Sequence, residues 1–226
     1  MGTIVNAITI LVGGALGLLM REKFPERIAQ TALQVMGLFT MLVGISMALK
    51  GQELILVLVS LASGAMLGEW LNIEGKLDNF GEWLEKRLKV SEGGPAKGFI
   101  YASLVFCVGS MAIVGSIADG VQGDHSILFT KAMMDGIISI PFAAGMGFGV
   151  LGSAFSILLY QGGLTLLASQ LQPLFSLEII RELTSVGGII VMGIGINIMG
   201  IQKIRVGNFL PSLLIIIVIL VVKSHL

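Results

Sequence analysis

Two aspartates and one lysine lie beside or inside long apolar stretches, where charged side chains are costly and are therefore candidates for chemistry. Asp135 follows Lys131 by four residues, so both side chains share one helical face and can pair. Asp119 ends another apolar stretch, and Pro141 interrupts backbone hydrogen bonding beyond Asp135. Carboxylates, together with carbonyls freed beside a proline, can attract cations where they line a cavity. The alternative is a structural Lys131–Asp135 pair and a solvated Asp119.

A Val-Gly-Ser tripeptide occurs twice, at 108–110 and at 114–116. Ser110 and Ser116 are about 120° apart around an α-helix, and Gly109 and Gly115 are displaced by the same angle. The repeat therefore predicts one close-packed central helix that is slim on two sides. Its serines either bond to the preceding turn or line a polar path. A phosphate loop is not indicated, because the Walker pattern is absent.

Three further polar side chains fall within apolar stretches, namely Asn6, Ser46 and Asn197. A buried amide in hydrocarbon is costly unless it is hydrogen-bonded. Each amide therefore requires an interhelical hydrogen bond, a cavity or a ligand. The complete set of candidate residues for binding a solute or ion is Asp119, Asp135, Ser110, Ser116, Asn197, Ser46 and Asn6.

Other chemistry is weakly represented in the sequence. The two histidines, His125 and His225, are far apart, and the one cysteine, Cys107, lies in an apolar run. We therefore predict no metal site and no cofactor. The 12 methionines are spread over most apolar stretches and are typical of core packing. No catalytic triad stands out, so we predict that the chain is not an enzyme. The strongest enzymatic alternative would pair Asp119 with Asp135.

The composition predicts the elements that position these residues. Of the 226 residues, 55% are hydrophobic and 12% are charged, whereas soluble domains carry about 25% charged residues. The sequence therefore predicts an all-α, polytopic transmembrane bundle in a single domain, 1–226. The net charge of zero does not indicate a nucleic-acid partner. Since a span needs roughly 20 apolar residues, we predict about eight spans: Thr3–Met20, Ala32–Leu49, Leu54–Leu71, Gly98–Ala118, Ala132–Gly149, Gly152–Ser169, Ser185–Ile201 and Phe209–Val222.

The distribution of lysine and arginine predicts the orientation of the chain. With the N-terminus outside, ten of the 14 Lys and Arg residues fall in inside loops and four fall outside. Cytoplasmic loops are enriched in both residue types, so both termini are predicted outside. Residues 72–97 carry apolar side chains at helical spacing with charged ones mostly opposite. This pattern predicts an amphipathic helix on the cytoplasmic surface.

Two apolar stretches share one pattern in opposite predicted directions. Without gaps, Val35, Gly37, Met41, Gly44 and Ile45 match Val186, Gly188, Met192, Gly195 and Ile196. The segments 1–71 and 150–226 are therefore predicted to be inverted repeats around a central helix pair, 98–149, an arrangement common in secondary transporters. The glycine faces predict close helix packing, either in a compact bundle or in a homodimer interface.

Four stretches resemble the YqgA/YdfK-like family of bacterial membrane proteins, the domain of unknown function 554: GTIVNAITILVGG, GEWLNIEGKLDNFGEWL, FCVGSMAIVGSIADG and KAMMDGIISIPFA. The resemblance covers nearly the whole chain. It implies a protein of the bacterial inner membrane, described as a transport protein with no established substrate. Ala118 stands where the family often has Glu, which argues against an acidic pair at 118 and 119. The residues that match the family's pattern by position are Asn6, Gly109, Ser110, Gly115, Ser116, Asp119, Gly120, Lys131, Asp135 and Gly136.

These features lead to three hypotheses of function. The first is a transporter of a small solute or ion, coupled to protons or another cation, with the two aspartates at its outer mouth and the serines and Asn197 deeper. The second is an ion channel, which requires a continuous polar pore. The third is a non-transporting membrane scaffold, whose polar groups all bond between helices. The expected partners are membrane lipid, a small solute or ion, and a second copy of the chain.

Overall fold

The computed structural model describes residues 1–21, 26–77, 79 and 95–224, and the regular elements in these ranges are all helical. The all-α prediction is therefore confirmed. The α-helices are α1 Gly2–Arg21, α2 Glu26–Ala48, α3 Leu54–Leu71, α4 Pro95–Cys107, α5 Ser110–Gln122, α6 Ser126–Met146, α7 Gly149–Leu166, α8 Ala168–Leu171, α9 Leu177–Ile198 and α10 Pro211–Ser224. Short 3₁₀ turns occupy Gln172–Leu174 and Val206–Phe209. Most of the amphipathic helix predicted over 72–97 lies outside the described residues.

The helices bury small and polar residues and expose large apolar ones, as expected where lipid surrounds the protein. On α3, Ser60 is fully buried while Ile55 is 77% exposed and Met66 is 74% exposed. Among the described residues, six helices are long and apolar enough to cross a membrane, or seven spans if the bent pair α4–α5 counts as one. The remaining predicted span corresponds to α2, whose apolar part, Leu33–Ala48, is shorter. The prediction of about eight spans is thus approximate.

The fourth predicted span is not one helix. Its axis bends by 62° between α4 and α5. The Val108 amide closes the last turn of α4 on the Leu104 carbonyl, and the Ala112 amide starts α5 on the Gly109 carbonyl. Gly109 between them is extended, with φ 176° and ψ 149°, and glycine is among the weakest helix formers. The continuous helix predicted over 98–118 is therefore corrected to two helices that meet at the first Val-Gly-Ser unit.

Other predicted boundaries shift by up to eight residues, and the largest shift is at α9, which begins at Leu177 instead of Ser185. The helix expected to end at Asp119 continues as α5 to Gln122. The boundary between the fifth and sixth predicted spans, at 149–152, corresponds to the turn between α6, which ends at Met146, and α7, which begins at Gly149. Gly147 has φ +82°, in the left-handed region that favours glycine, so this residue sets the turn.

The first pair of closely packed helices is α1 with α6. A Cβ on Gly13 would lie 2.1 Å from the Gly136 carbonyl oxygen, and a Cβ on Gly17 would lie 2.1 Å from that of Ile140. Since later residues of α1 meet later residues of α6, the two helices run parallel. Their backbones touch, which fixes the register of side chains across this contact.

The second pair, α2 with α9, is antiparallel, and its contacts are reciprocal. A Cβ on Gly44 would lie 2.7 Å from the Gly188 carbonyl oxygen, and one on Gly188 would lie 2.6 Å from that of Gly44. The same relation joins Gly37 and Gly195, at 3.0 Å and 2.8 Å. All four predicted packing glycines are therefore used inside one chain, as the compact-bundle alternative requires. Gly115 is also buried, against Leu128.

A fully buried acid holds the connection between α2 and α3. Glu182 on α9 accepts hydrogen bonds from the backbone amides of Gln52, at 3.0 Å, and Glu53, at 3.3 Å. It also pairs with Arg181, at 2.9 Å. Amides at the start of a helix lack intrahelical acceptors, so this carboxylate satisfies donors at the beginning of α3. This role of Glu182 was not predicted from the sequence.

We predict that Gly44→Ala destabilises the bundle and that Gly162→Ala does not. The added methyl at 44 would lie 2.6 Å from the Met192 amide nitrogen, whereas a Cβ on Gly162 meets nothing within 4 Å. Overpacking of this kind typically costs about 1–3 kcal/mol. Thermal unfolding in detergent should show a melting temperature several degrees lower for the first variant only. Equal melting temperatures would contradict the backbone contact.

Candidate functional site

Lys131 and Asp135 form an ion pair inside the membrane-spanning part of α6. Their side chains are only 8% and 9% exposed, and the Lys131 Nζ donates a hydrogen bond to the Asp135 Oδ2. The predicted pair is thus present and deeply buried. Lys131, which precedes the predicted span Ala132–Gly149, instead lies inside helix α6. Because the surroundings are apolar, neither charge can be removed without leaving the other unpaired.

Helix α1 supplies a third member of this group. The Asn6 Nδ2 donates to the same Asp135 Oδ2 at 3.0 Å. One turn further along α1, the Thr9 hydroxyl donates to the Ala132 carbonyl oxygen at 2.8 Å. A Cβ on Gly136 would lie 2.9 Å from Thr9, so a glycine at this position allows α1 to approach closely enough for Asn6 to reach the carboxylate.

Helix α7 supplies a second amide, that of Gln161. Its Oε1 accepts from the Asn6 Nδ2 at 3.3 Å, and its side chain is fully buried. The sequence analysis missed Gln161, although an amide in an apolar stretch is the same signal that identified Asn6. The Asp135 carboxylate therefore belongs to a buried polar group drawn from α1, α6 and α7.

A cavity of about 210 Å³ lies on the other side of the pair, between α2, α4, α5 and α6. Its wall includes Lys131, Asp135 and the break between α4 and α5, where Gly109 and Ser110 lie. Thr40 from α2 and Lys50 from the turn that follows α2 also line the cavity. The predicted site residues Asp135, Ser110 and Lys131 thus share one cavity, and Gly109 is part of its wall.

Asp119 lies in a separate position near the beginning of α1. It is buried, at 7% exposure, and accepts from the Gly2 amide at 3.1 Å. The His125 Nδ1 is 2.5 Å from its other oxygen. The alternative of a solvated Asp119 is therefore corrected. Asp119 and Asp135 share no hydrogen-bond partner, so the structure does not bring them together as a carboxylate pair.

The loop beyond Asp119 begins helix α6 and lies outside the membrane-spanning helices. The Ser126 amide donates to the Asp124 Oδ1 at 2.9 Å. This backbone hydrogen bond, with a second from the Ser126 side chain, lowers the pKa of Asp124. The loop therefore adds a carboxylate that stays charged at neutral pH near the Asp119 position.

Two predicted site residues lie elsewhere. The Asn197 side chain bonds to both backbone groups of Ile204, each at 2.7 Å, and to the Tyr101 hydroxyl at 3.1 Å. It thereby fixes the turn after α9. The exposed Ser46 bonds back to the Leu42 carbonyl oxygen at 3.0 Å. Neither residue lines the cavity, so the symmetry between their sequence positions does not carry over to a common site.

Pro141 is exposed rather than facing the cavity. It lines an apolar groove of about 690 Å³ between α2 and α6, together with Phe39 and Phe142. Its backbone effect therefore falls on the membrane-facing side of α6. Among the described residues, no group of three or more His, Cys, Asp or Glu side chains is placed to hold a metal ion.

Comparison with known proteins gives one family and two close relatives. The model of the family "Protein of unknown function (DUF554)" matches residues 1–221. The chain is 34% identical over 218 residues to the "Uncharacterized membrane protein YdfK" of Bacillus subtilis (strain 168), covering 95% of this chain and 93% of that protein. It is 28% identical over 219 residues to the "Uncharacterized protein YqgA" of Escherichia coli (strain K12), with the same coverage of both chains. No solved structure matches. Together with the apolar helices, these relatives identify a multi-pass membrane protein.

The buried pair predicts a strong energetic coupling between positions 131 and 135. Removing one partner of a buried ion pair typically costs about 3–5 kcal/mol, because the other charge is left unpaired. We expect Lys131→Met and Asp135→Asn each to destabilise the protein, and the double variant to be more stable than either single variant. Unfolding in detergent measures all three.

Lys223 provides the control for this comparison. It pairs with Glu53 and Glu178 at the surface, so Lys223→Met should change stability little. Losses that simply add in the 131/135 double variant would show that the two side chains are not coupled.

Proposed function

We propose that this chain, which belongs to the DUF554 family, is a membrane carrier for a small solute. The observation that carries the proposal is the buried Lys131–Asp135 pair in the wall of a cavity, beside a break in a membrane-embedded helix. The proposal involves transport without catalysis. Its further elements are the class of solute, the mode of access and the orientation.

The stability of the fold does not explain the buried pair. Replacing such a pair by apolar residues is often neutral or stabilising, because desolvation of two charges offsets their attraction. Charged residues in membrane segments are associated with substrate and ion pathways. A role in binding is therefore the better explanation for a lysine and an aspartate that both reach a cavity.

The break between α4 and α5 adds a second feature of carriers. The first amides of a helix and the last carbonyls of another have no intrahelical partners, and here both ends meet at the cavity wall around Val108 and Gly109. Discontinuous helices with such ends form the substrate sites of many secondary transporters. The start of α5 carries the positive end of its helix dipole.

The charges of the cavity favour a small anion or a zwitterion. Lys50 and Lys131 oppose the single carboxylate of Asp135 among the lining residues, and the start of α5 adds partial positive charge. A carboxylate or other anionic group would bind near Lys131 and Ser110, and an ammonium group would bind Asp135. The volume of about 210 Å³ is below the ~300–1,000 Å³ typical of drug-sized ligands, which limits the solute to a small one.

Inverted repeats would give such a carrier its means of alternating access. The matched glycines of α2 and α9 contact each other reciprocally, which is the relation expected around a pseudo-two-fold axis. We infer that 1–71 and 150–226 are the two repeats and that they rock around the central segment 98–149, which contains most of α4, together with α5 and α6. A carrier is favoured over a channel, since the cavity is lined by the apolar Phe106 and Phe142 beside the ion pair, whereas a channel requires a continuous polar lining.

We place the protein in the bacterial inner membrane with both termini outside. The Asp119 end of the bundle, where α1 begins, would then face outward. The opposite end, where α1 finishes at Arg21, would face the cytoplasm together with Lys203 and Arg205, in keeping with the enrichment of positive charge in cytoplasmic loops. A homodimer within the membrane stays a prediction.

Uptake by reconstituted protein tests the proposal. The full chain in proteoliposomes should accumulate a labelled member of a panel of phosphate, sulfate, small carboxylates and small amino acids, with saturation. We expect Asp135→Asn and Lys131→Met to lower the initial rate at least tenfold, because each removes half of the binding pair. Asp124→Asn, an exposed acid outside the cavity, is the matched control and should keep the wild-type rate.

Three results would contradict this proposal in different ways. Wild-type rates in both cavity variants would assign the pair a structural role. A flux that does not saturate would favour a channel. Vesicles that take up no member of the panel beyond the level of empty vesicles would favour a scaffold.

Gly109 offers a test that separates the cavity from stability. A Cβ there would meet only Met47, at 4.0 Å, and the extended backbone suits any residue. We predict that Gly109→Leu fills the cavity and lowers uptake at least tenfold while the melting temperature stays within a degree or so of wild type. Gly109→Ala should keep most of the uptake, and equal uptake in both variants would exclude Gly109 from the solute path.

A further inference from the structure

The buried polar group around Asp135 continues on the side of this carboxylate that faces away from the cavity. We call this continuation the polar cluster, and it consists of Thr3, Asn6, Ser116, Gln161 and Thr165. Each contributes a buried side-chain atom with no hydrogen-bond partner, namely Thr3 Oγ1, Asn6 Oδ1, Ser116 Oγ, Gln161 Nε2 and Thr165 Oγ1. Five such atoms in one part of a fold are unusual, because buried polar atoms are almost always paired.

Contacts between three helices bring these residues together. Thr3 and Asn6 are one turn apart on α1, and Gln161 and Thr165 are one turn apart on α7. The hydrogen bond from Asn6 to Gln161 joins the two helices. The cluster therefore spans one turn of each helix, from the level of Thr3 to that of Asn6.

Helix α5 completes the cluster from the third side. A Cβ on Gly120 would lie 2.2 Å from the Thr165 carbonyl oxygen, and Asp119 accepts from the Gly2 amide. Ser116 is one turn deeper on the same helix and is fully buried. Ser116 therefore lies at the same depth as Asn6 and Gln161, between the depth of Asp119 and that of Asp135.

The types of the unpaired atoms indicate what satisfies them. Leaving a buried polar atom unpaired is energetically costly, so five of them call for partners. A bound cation would satisfy oxygens only. The Gln161 Nε2 is a donor, and its orientation is fixed because the Gln161 Oε1 accepts from Asn6. Water satisfies donors and acceptors alike, and buried water typically bonds to such groups.

We propose that the polar cluster is a hydrated path that brings protons from the Asp119 end of the bundle to Asp135. Asp119 and His125 stand at its mouth, and Asn6 joins its inner end to the Asp135 carboxylate. Solute would reach the same carboxylate from the cavity on the opposite side. The two ligands of the carrier thus approach Asp135 by separate routes.

The step that couples them follows from the ion pair. A proton passed along water to Asp135 forms the neutral acid and ends the charge attraction to Lys131. The Lys131 ammonium is then free to bind an anionic solute. The solute and the proton leave together when the cavity opens inward. The other titratable groups around the carboxylate are Cys107 on α4 and Lys50 across the cavity. This part of the inference rests on the proposed carrier function.

Silver ions test the hydrated path without any transport measurement. In a Cys107→Ser background, which removes the single native thiol, single cysteines replace Ser116 and Thr165. Sealed vesicles with the Asp119 end outward are exposed to silver nitrate in chloride-free buffer, then denatured and labelled with a fluorescent maleimide. We expect silver to lower labelling of both cysteines at least fivefold, nearly as fast as at Gln122→Cys, an exposed position.

Ser60→Cys and Ser153→Cys are the matched controls. Both serines are fully buried in membrane helices, but their hydroxyls already bond to the carbonyls of Ser212 and Val150. Silver should leave these two cysteines fully labelled. All variants must match wild type in size-exclusion profile and melting temperature.

The inference is overturned if the cysteines at 116 and 165 react no faster than those at 60 and 153 while Gln122→Cys reacts. Protection at 116 and 165 supports it. Because this readout does not use solute, it stands apart from the uptake assay: protection without uptake would overturn the carrier proposal alone, and uptake without protection would overturn the hydrated path alone.

Discussion

The structure depends on one carboxylate oxygen that is held by an ion pair and a hydrogen bond among apolar helices. Asp135 Oδ2 receives hydrogen bonds from Lys131 of its own helix and from Asn6 of α1. In a medium of low dielectric constant an unpaired carboxylate would be very costly, so Lys131 and Asn6 must both stay within hydrogen-bonding distance of Asp135. Glycines allow this on the α1 side, because Gly13 and Gly17 let the backbone of α1 touch that of α6.

The two tight helix pairs therefore serve different purposes. The parallel contact of α1 with α6 positions polar side chains for hydrogen bonding. Asn6, Thr9 and Asp135 lie at the same interface as its glycines. At its closest points the antiparallel contact of α2 with α9 brings together glycines, methionines and the backbone of Ala48, and the Ser185 hydroxyl on α9 donates to the Ala48 carbonyl oxygen at 2.8 Å. Where no water competes, van der Waals packing and close approach are the main forces between such helices. In the first pair the close approach lets polar side chains bond near Asp135, whereas in the second it mainly packs one backbone against the other.

Sequence patterns predicted the helical class, the approximate positions of most helices, the glycine contacts and the Lys131–Asp135 pair, because each depends on local spacing or on the cost of charge in lipid. They did not predict the break at Gly109, since the same small residues suit a slim continuous helix and two helices that meet. They also assigned Asn197 to a site although it caps a turn. Its bonds to Ile204 lie seven residues away along the chain, and no periodic pattern distinguishes a partner of that kind from a ligand. Gln161 carries the same signal as Asn6, an amide in an apolar stretch, and could have been identified from it. The meeting of the two amides could not, since they are 155 residues apart in the chain.

The position of Asp135 between two polar regions has a consequence for how a carrier of this design would work. On one side lies a cavity with more positive than negative lining groups, and on the other lie neutral hydroxyls and amides. The lysines of the cavity repel a proton, whereas the neutral, hydrogen-bonding groups of the polar cluster let it pass. An anion is attracted by the same lysines and gains nothing from the neutral groups. The difference in charge between the cavity and the polar cluster therefore directs the two ligands to opposite sides of Asp135. Their meeting at one carboxylate couples them, since Asp135 cannot hold both its proton and its full attraction for Lys131.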